Sequence, residues 1–241
     1  MKIMEQLSGR PAIGGNHLPP LLQRGNEDVL YYEQIKALRS KIESRIDQLH
    51  TKVIAVTSAI AGEGKTLSCA NLAANLSSSG MKKVLLMDVD LRKGDLSRGM
   101  GVTVHPGVSN YLEGSAEAKA IVRESINQNL RFAPCGIRSS DPADLLSGER
   151  FRMFLRDARE EYDVVLLDTP PVLPVADTLT LRDQVDGFIF LFRAGFTPYP
   201  MLKQALEEVG EQRVFGVVLN GVEARSSKYY HRYYGKYYQK T

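Results

Sequence analysis

The chain has 241 residues, room for one or two domains, and 43% of them are apolar, enough to bury a core. No apolar run approaches the roughly 18 residues of a membrane span, and the N-terminus lacks the apolar stretch of a signal peptide. Two cysteines, Cys69 and Cys135, without metal-type spacing exclude a disulfide framework and point to a reduced, cytosolic chain. The net charge of +3 is unevenly placed: residues 224–241 carry five basic side chains (Arg225, Lys228, Arg232, Lys236, Lys240) and no acidic one, so the remainder sums to −2.

Residues 1–26 hold Pro11, Gly14, Gly15, Pro19 and Pro20 without periodicity and read as a loosely held leader. Ile35, Leu38, Ile42, Ile46 and Leu49 then recur at spacings of three and four, one apolar helix stripe. Buried strands are expected at 53–57, 84–87, 164–167, 188–192 and 214–219. Helices are expected at 65–79, stopping near Gly80, and at 149–160, 179–183 and 201–209. Continuous apolar strands alternating with helices predict an α/β protein: a mainly parallel, twisted sheet flanked by helices on both faces. Its ligands would sit at the carboxyl ends of the strands. The expected organisation is a leader at 1–26, one domain at 27–223 and a tail at 224–241.

After the first strand comes Ala59-Ile-Ala61-Gly62-Glu63-Gly64-Lys65-Thr66, followed by Leu67 and the predicted helix. A glycine-rich turn between strand and helix, ending in Lys-Thr, is a P-loop. Gly62 and Gly64 let the backbone curl so that its N–H groups converge on phosphate, and the helix dipole points to the same place. Residues Ala61, Gly62, Glu63, Gly64, Lys65, Thr66 and Leu67 are the expected nucleotide-binding set, with Lys65 reaching the β- and γ-phosphates and Thr66 holding Mg²⁺. The strict motif starts with Gly where this chain has Ala59.

Two further strands end in acid. Leu85-Leu-Met-Asp88-Val-Asp90-Leu-Arg92 places two carboxylates at a strand end, and Val164-Val-Leu-Leu-Asp168-Thr-Pro-Pro171 places one. Such charges are costly unless they stay wet, pair or bind a cation, and Mg²⁺ with ATP suits oxygen ligands.

These three motifs resemble the Walker A, Walker A′ and Walker B motifs of bacterial tyrosine kinases, the autokinases of capsule and exopolysaccharide synthesis in the MinD-like branch of P-loop proteins. The similarity runs from about Glu33 to the C-terminus. It includes Gly107-Val-Ser-Asn-Tyr-Leu-Glu-Gly114, Asp141-Pro-Ala-Asp-Leu-Leu146 and Gly216-Val-Val-Leu-Asn220. The resemblance implies ATP and Mg²⁺ as cofactors, with Thr66, Asp88 and Asp168 around the metal. It implies Lys65, Asp88 and Asp90 as catalytic, either aspartate accepting the phenol proton, whose pKa is about 10. Arg92 completes the motif without an assigned role, and Asn220 would contact the purine.

The tail reads Tyr229-Tyr230-His-Arg-Tyr233-Tyr234-Gly-Lys-Tyr237-Tyr238, six of the chain's eleven tyrosines in ten residues. An aromatic packing stripe is disfavoured by Gly235 and the interleaved charges. Single-strand nucleic-acid binding, which basic residues between aromatics would suit, is disfavoured by the P-loop in the same chain. The six tyrosines are the expected phospho-acceptors. Glu33, Lys36 and Arg39 match the family's Glu-x-x-Arg-x-x-Arg, used between subunits of a ring, with Lys36 replacing one Arg.

The resemblance further implies an octameric ring while unphosphorylated, a membrane adaptor of the polysaccharide co-polymerase type, and a tyrosine phosphatase. It places the kinase in the cytoplasm, recruited to the inner face of the membrane. Met1 and the leader favour a separate chain that depends on such an adaptor. The rival reading is a partition or division-site ATPase of the same P-loop branch. Such proteins carry a second lysine at the position of Ala61, and they have no use for a tyrosine tail. An electron-donating P-loop reductase would need cluster-binding cysteines.

Overall fold

The computed structural model describes residue 22 and residues 29–125 and 128–222. Most of the leader, and the tyrosine tail with its six predicted acceptors, lie outside the described residues.

Seven strands form one sheet in the order β3-β4-β2-β5-β1-β6-β7. They are β1 (Val53–Ser58), β2 (Val84–Asp88), β3 (Arg123–Glu124), β4 (Leu130–Ala133), β5 (Val164–Asp168), β6 (Gly187–Arg193) and β7 (Val214–Asn220). All neighbouring pairs are parallel except β3 with β4. The connections leaving β1 and β5 run in opposite directions across the sheet, to β2 on one side and to β6 on the other. A parallel sheet opens a crevice at such a reversal, outside its carboxyl edge.

Side-chain alternation divides the core cleanly, because successive residues of a strand face opposite ways. Ile54, Val56, Val84, Leu86, Val164 and Leu166 pack on one face with Leu72, Ala73 and Leu76 of the P-loop helix α2 (Lys65–Ser78) and with Ile42 and Ile46 of α1 (Val29–Leu49). Val53, Ala55, Leu85, Met87, Val165 and Leu167 pack on the other. There they meet Phe151, Phe154 and Leu155 of a helix spanning Glu149–Glu161, and Leu202 and Ala205 of a helix spanning Tyr199–Val209. The sheet is therefore covered on both faces, as its uninterrupted apolar strands require.

In α1 the stripe holds for Ile35, Ile42 and Ile46, all buried, while Leu49 at the last turn is exposed. The helix expected at 179–183 is a single 3₁₀ turn, Leu179–Leu181. Thr180 turns its hydroxyl back onto the carbonyl of Asp177 at 2.7 Å, a local bond that competes with helix propagation, while Thr178 ties the turn to the Pro170 carbonyl at 2.7 Å. Strands β3 and β4 and the short helices between residues 95 and 147 were not expected. Four residues such as Leu-Arg-Phe-Ala make too short a run to announce a strand.

Candidate nucleotide and phosphoryl-transfer site

The P-loop leaves β1 at Ser58 and enters α2 at Lys65. Gly62 and Gly64 stand at φ 88° and 89°, a left-handed conformation that glycine alone adopts without strain. A Cβ on Gly64 would also fall 2.2 Å from Nδ2 of Asn220. Ala61 and Gly62 form the exposed lip, while Lys65, Thr66 and Leu67 are half-buried at the start of the helix.

Glu63 is fully buried and points away from the lip. Its carboxylate accepts from Ile60 N at 2.9 Å, Thr197 Oγ1 at 2.7 Å and Arg193 N at 3.3 Å. Asn220, at the end of β7, donates to the Glu63 carbonyl at 2.8 Å, and Arg193 donates to the Gly62 carbonyl at 3.1 Å. The loop's curl is thus held by side chains from the ends of β6 and β7. Sequence reasoning placed Glu63 in the nucleotide set and Asn220 near a purine; in the structure the side chain of each braces the loop.

The carboxylates follow from the same alternation. Asp88 shares the parity of Val84 and Leu86, and Asp168 that of Val164 and Leu166, so both project to the α2 face. The β2–β5 ladder sets them directly opposite each other, and both are buried. Thr66 stands beside Asp168 and favours its ionised form, and among the described residues Asp168 Oδ1 has no hydrogen-bond partner. Asp88 Oδ2 accepts from Ser97 N at 2.8 Å and Ser97 Oγ at 2.6 Å. Asp90 is buried beside them, its Oδ1 accepting from Lys93 N at 3.1 Å.

Desolvation, reinforced by the Asp168 charge, pushes the Asp88 carboxyl well above the usual carboxylate range. Desolvation raises Asp168 as well, with Lys65 and Thr66 opposing it. Burial, and the two carboxylates near it, also drive the Cys69 thiol well up. Beside the P-loop lysine, then, the site gathers buried carboxyls that hold their protons more tightly than free ones and would ionise most readily with a cation present. Such an arrangement fits a hard divalent cation with oxygen ligands, and the unpartnered Oδ1 of Asp168 is a coordination position left for one.

Two further features were not read from the sequence. Arg92 forks onto Asp177, Nε to Oδ2 at 2.7 Å and Nη2 to Oδ1 at 2.9 Å, tying the loop after β2 to the loop after β5. The only signal for Asp177 was a charge following Pro174-Val-Ala. Threonines rivet the Asp168-Thr-Pro-Pro segment to β1: Thr169 Oγ1 donates to Val56 O at 3.0 Å, and Thr57 Oγ1 to Pro170 O at 2.9 Å. Glu33, Lys36 and Arg39 lie on α1, remote in sequence from these motifs. Lys36 pairs with Glu33 at 2.8 Å, and Arg39 donates to the Asn75 carbonyl at 3.3 Å.

A P-loop opening on the carboxyl edge of a parallel sheet, facing two acidic strand ends, defines a P-loop nucleotide-binding protein. Comparison with known proteins narrows the class. A family model described as an AAA domain matches residues 51–185. The tyrosine-protein kinase YwqD of Bacillus subtilis is 32% identical over 205 residues, which are 84% of this chain and 86% of that protein. The tyrosine-protein kinase wzc of Salmonella typhi is 32% identical over 91% of this chain. The chain spans only 31% of wzc and 29% of the putative tyrosine-protein kinase EpsB of Ralstonia solanacearum. Among solved structures, the kinase domain of Escherichia coli tyrosine kinase ETK superposes with a TM-score of 0.81 at 28% identity, covering 89% of this chain and 84% of that one. The chain belongs to the bacterial tyrosine-protein kinase family. Among the described residues, no helix is long and apolar enough to cross a membrane.

Proposed function

We propose that this chain transfers the γ-phosphoryl group of ATP to tyrosines of its own tail or a neighbouring subunit's, at Tyr229, Tyr230, Tyr233, Tyr234, Tyr237 and Tyr238. The observation that carries the reading is the pairing of Asp88 and Asp168 on the α2 face, with Thr66 beside Asp168 and one Asp168 oxygen without a partner among the described residues.

In this reading the backbone N–H groups of residues 61–66 cradle the phosphates and Lys65 reaches toward the β- and γ-phosphates. Thr66, Asp88 and Asp168 would hold Mg²⁺, which when bound supplies positive charge against the oxygens of the transferring group. Two raised carboxyls are easily ionised once a cation lies between them, so the site takes up metal and loses protons together. The acceptor phenol gives up its proton to Asp88 or Asp90. With no covalent intermediate required, the protein's work is positioning and electrostatics. Asn220, already bonded to the Glu63 carbonyl at the P-loop, would in this reading add a contact to the purine.

The proposal extends to assembly. Unphosphorylated copies form a ring, an octamer, through Glu33, Lys36 and Arg39, and Lys36 makes a weaker contact than Arg because it cannot bind a carboxylate bidentately. A membrane adaptor of the polysaccharide co-polymerase type brings the kinase from the cytoplasm to the inner face of the membrane, and a tyrosine phosphatase resets it. Through this cycle it regulates exopolysaccharide or capsule synthesis and export.

The test is incubation of the purified chain with ATP and Mg²⁺, with and without the adaptor's cytoplasmic segment, followed by intact mass and mapping of the tail peptides. Phosphate increments on residues 229–238, absent in Lys65→Ala, are expected. ATP hydrolysis with no tyrosine modified under either condition would overturn the kinase reading.

A further inference from the structure

The turn between β2 and the short helix Asp95–Gly99 is pressed against the end of β4. Gly94 stands at φ 65°, and a Cβ there would lie 2.4 Å from Cys135 Sγ. This close approach brings Ser97, fully buried, to Asp88. Two donors of Ser97, its backbone N–H and its hydroxyl, converge on the one oxygen Oδ2, at 2.8 and 2.6 Å. The hydroxyl in turn accepts from Cys135 N at 2.9 Å. That incoming N–H fixes the rotor, so the serine's own proton is directed to Asp88. Among the described residues the other oxygen, Oδ1, accepts only from Asp90 N, at 3.3 Å. The same turn holds Asp90 through Lys93 N.

We propose that Ser97 is a positioning residue for the phosphoryl-transfer site, claiming Oδ2 of Asp88 so that the carboxylate presents Oδ1 to the cation that accompanies the nucleotide. The inference rests on the nucleotide and Mg²⁺ reading above and names a residue that no motif of the sequence marks. A group that orients a metal-binding carboxylate acts on metal affinity and leaves the P-loop's hold on phosphate intact. A purely structural serine would weaken both alike.

The experiment measures binding of a fluorescent ADP analogue to the full chain, first in EDTA and then across a Mg²⁺ titration. Its readout is independent of phosphotransfer, so a failure of the kinase reading and a failure of this one are separable. Ser97→Ala should bind the analogue in EDTA like wild type but need about 10- to 100-fold more Mg²⁺ for half-saturation. Ser97→Thr, which keeps the hydroxyl, should restore the wild-type midpoint. A wild-type Mg²⁺ midpoint in Ser97→Ala overturns the proposal, as does an equal loss with and without Mg²⁺. Should Ser97→Ala fail to fold, Ser97→Cys keeps a weaker donor, and its midpoint should lie above that of Ser97→Thr. Equal midpoints in those two variants overturn it as well.

Discussion

Asp88 and Asp168 face each other across the β2–β5 ladder, two buried carboxyl groups on adjacent strands. Both carboxyls are raised by desolvation, Asp88 further by its neighbour's charge. The sign of the linkage follows. The folded state binds these protons more tightly than the unfolded chain, whose carboxyls titrate near 4. Folding stability therefore falls as pH rises from about 4 through the raised values. A tenfold tightening of proton binding is worth about 1.4 kcal/mol. Asp88→Asn, which keeps an acceptor for Ser97, should raise the apo-protein's stability at pH 8 by on the order of 2 kcal/mol while abolishing Mg²⁺-dependent activity. Thermal melts at pH 5 and pH 8 check this: the gain in Tm should be larger at pH 8. A gain equal at both pH values would show that the charge pair is not its source.

Gly64 and Asn220 offer a test of the P-loop brace. Ala at position 64 meets two separate obstacles, a φ of 89° and an Asn220 nitrogen 2.2 Å from the new Cβ. The first costs on the order of 1–2 kcal/mol wherever the chain has an L side chain in that region. Removing Asn220 relieves only the second. Gly64→Ala should thus lose stability and nucleotide binding, and Gly64→Ala/Asn220→Ala should recover part of the stability in a urea titration. Asn220→Ala alone forfeits its bond to the Glu63 carbonyl, about 1 kcal/mol. Additive losses in the double variant would mean that the steric clash is not felt.

Arg92 and Asp177 join the loops that follow β2 and β5. Asp177 is buried and Arg92 is partly exposed, so the two partners are not equivalent. Arg92→Ala leaves a buried carboxylate without its fork, and the expected loss is roughly 1–3 kcal/mol, reduced by the solvent that already reaches the arginine. Arg92→Lys should recover less than half, since one ammonium cannot make two parallel bonds. The double variant Arg92→Ala/Asp177→Asn should be more stable than Arg92→Ala alone. Chemical denaturation of wild type, Arg92→Ala, Asp177→Asn and the double variant closes the cycle, and a double variant no better than Arg92→Ala would argue against an unpaired charge at Asp177.

The sheet was legible because its strands are uninterrupted apolar runs, and the site because glycines and acids punctuate those runs at their ends. Gly62, Lys65, Thr66, Asp88 and Asp168 could all be named from spacing and context. The pairing of Asp88 with Asp168 could not, because strand order is set by how helices pack across a sheet and leaves no local mark. Ser97 was invisible for the same reason: it meets Asp88 through a turn whose path depends on Gly94 fitting against Cys135. The role of the Glu63 side chain was equally unmarked. Its place in the loop says nothing of where the carboxylate goes, and that group turns inward to Thr197 and two backbone N–H groups. Short elements such as β4 carry too few residues for any period to appear.

The tail supplies the last prediction, since it concerns charge alone. Residues 224–241 carry +5. Each phosphotyrosine adds roughly −1.5 to −2, so three about cancel that charge and six carry the tail to roughly −4 to −7. If neighbouring subunits hold together while the tail is basic, phosphorylation drives them apart by a reversal of charge at the interface. A variant with all six tail tyrosines changed to Phe keeps the aromatic surface and the +5. It should stay assembled when ATP and Mg²⁺ are added, under conditions where the wild type dissociates in light scattering or sedimentation. Because exposed charges are screened over about 8 Å at physiological salt and about 3 Å at 1 M, high salt should also blunt the wild-type response. Disassembly of the six-Phe variant by ATP, as readily as the wild type, would assign the switch to nucleotide binding and take it away from the tail.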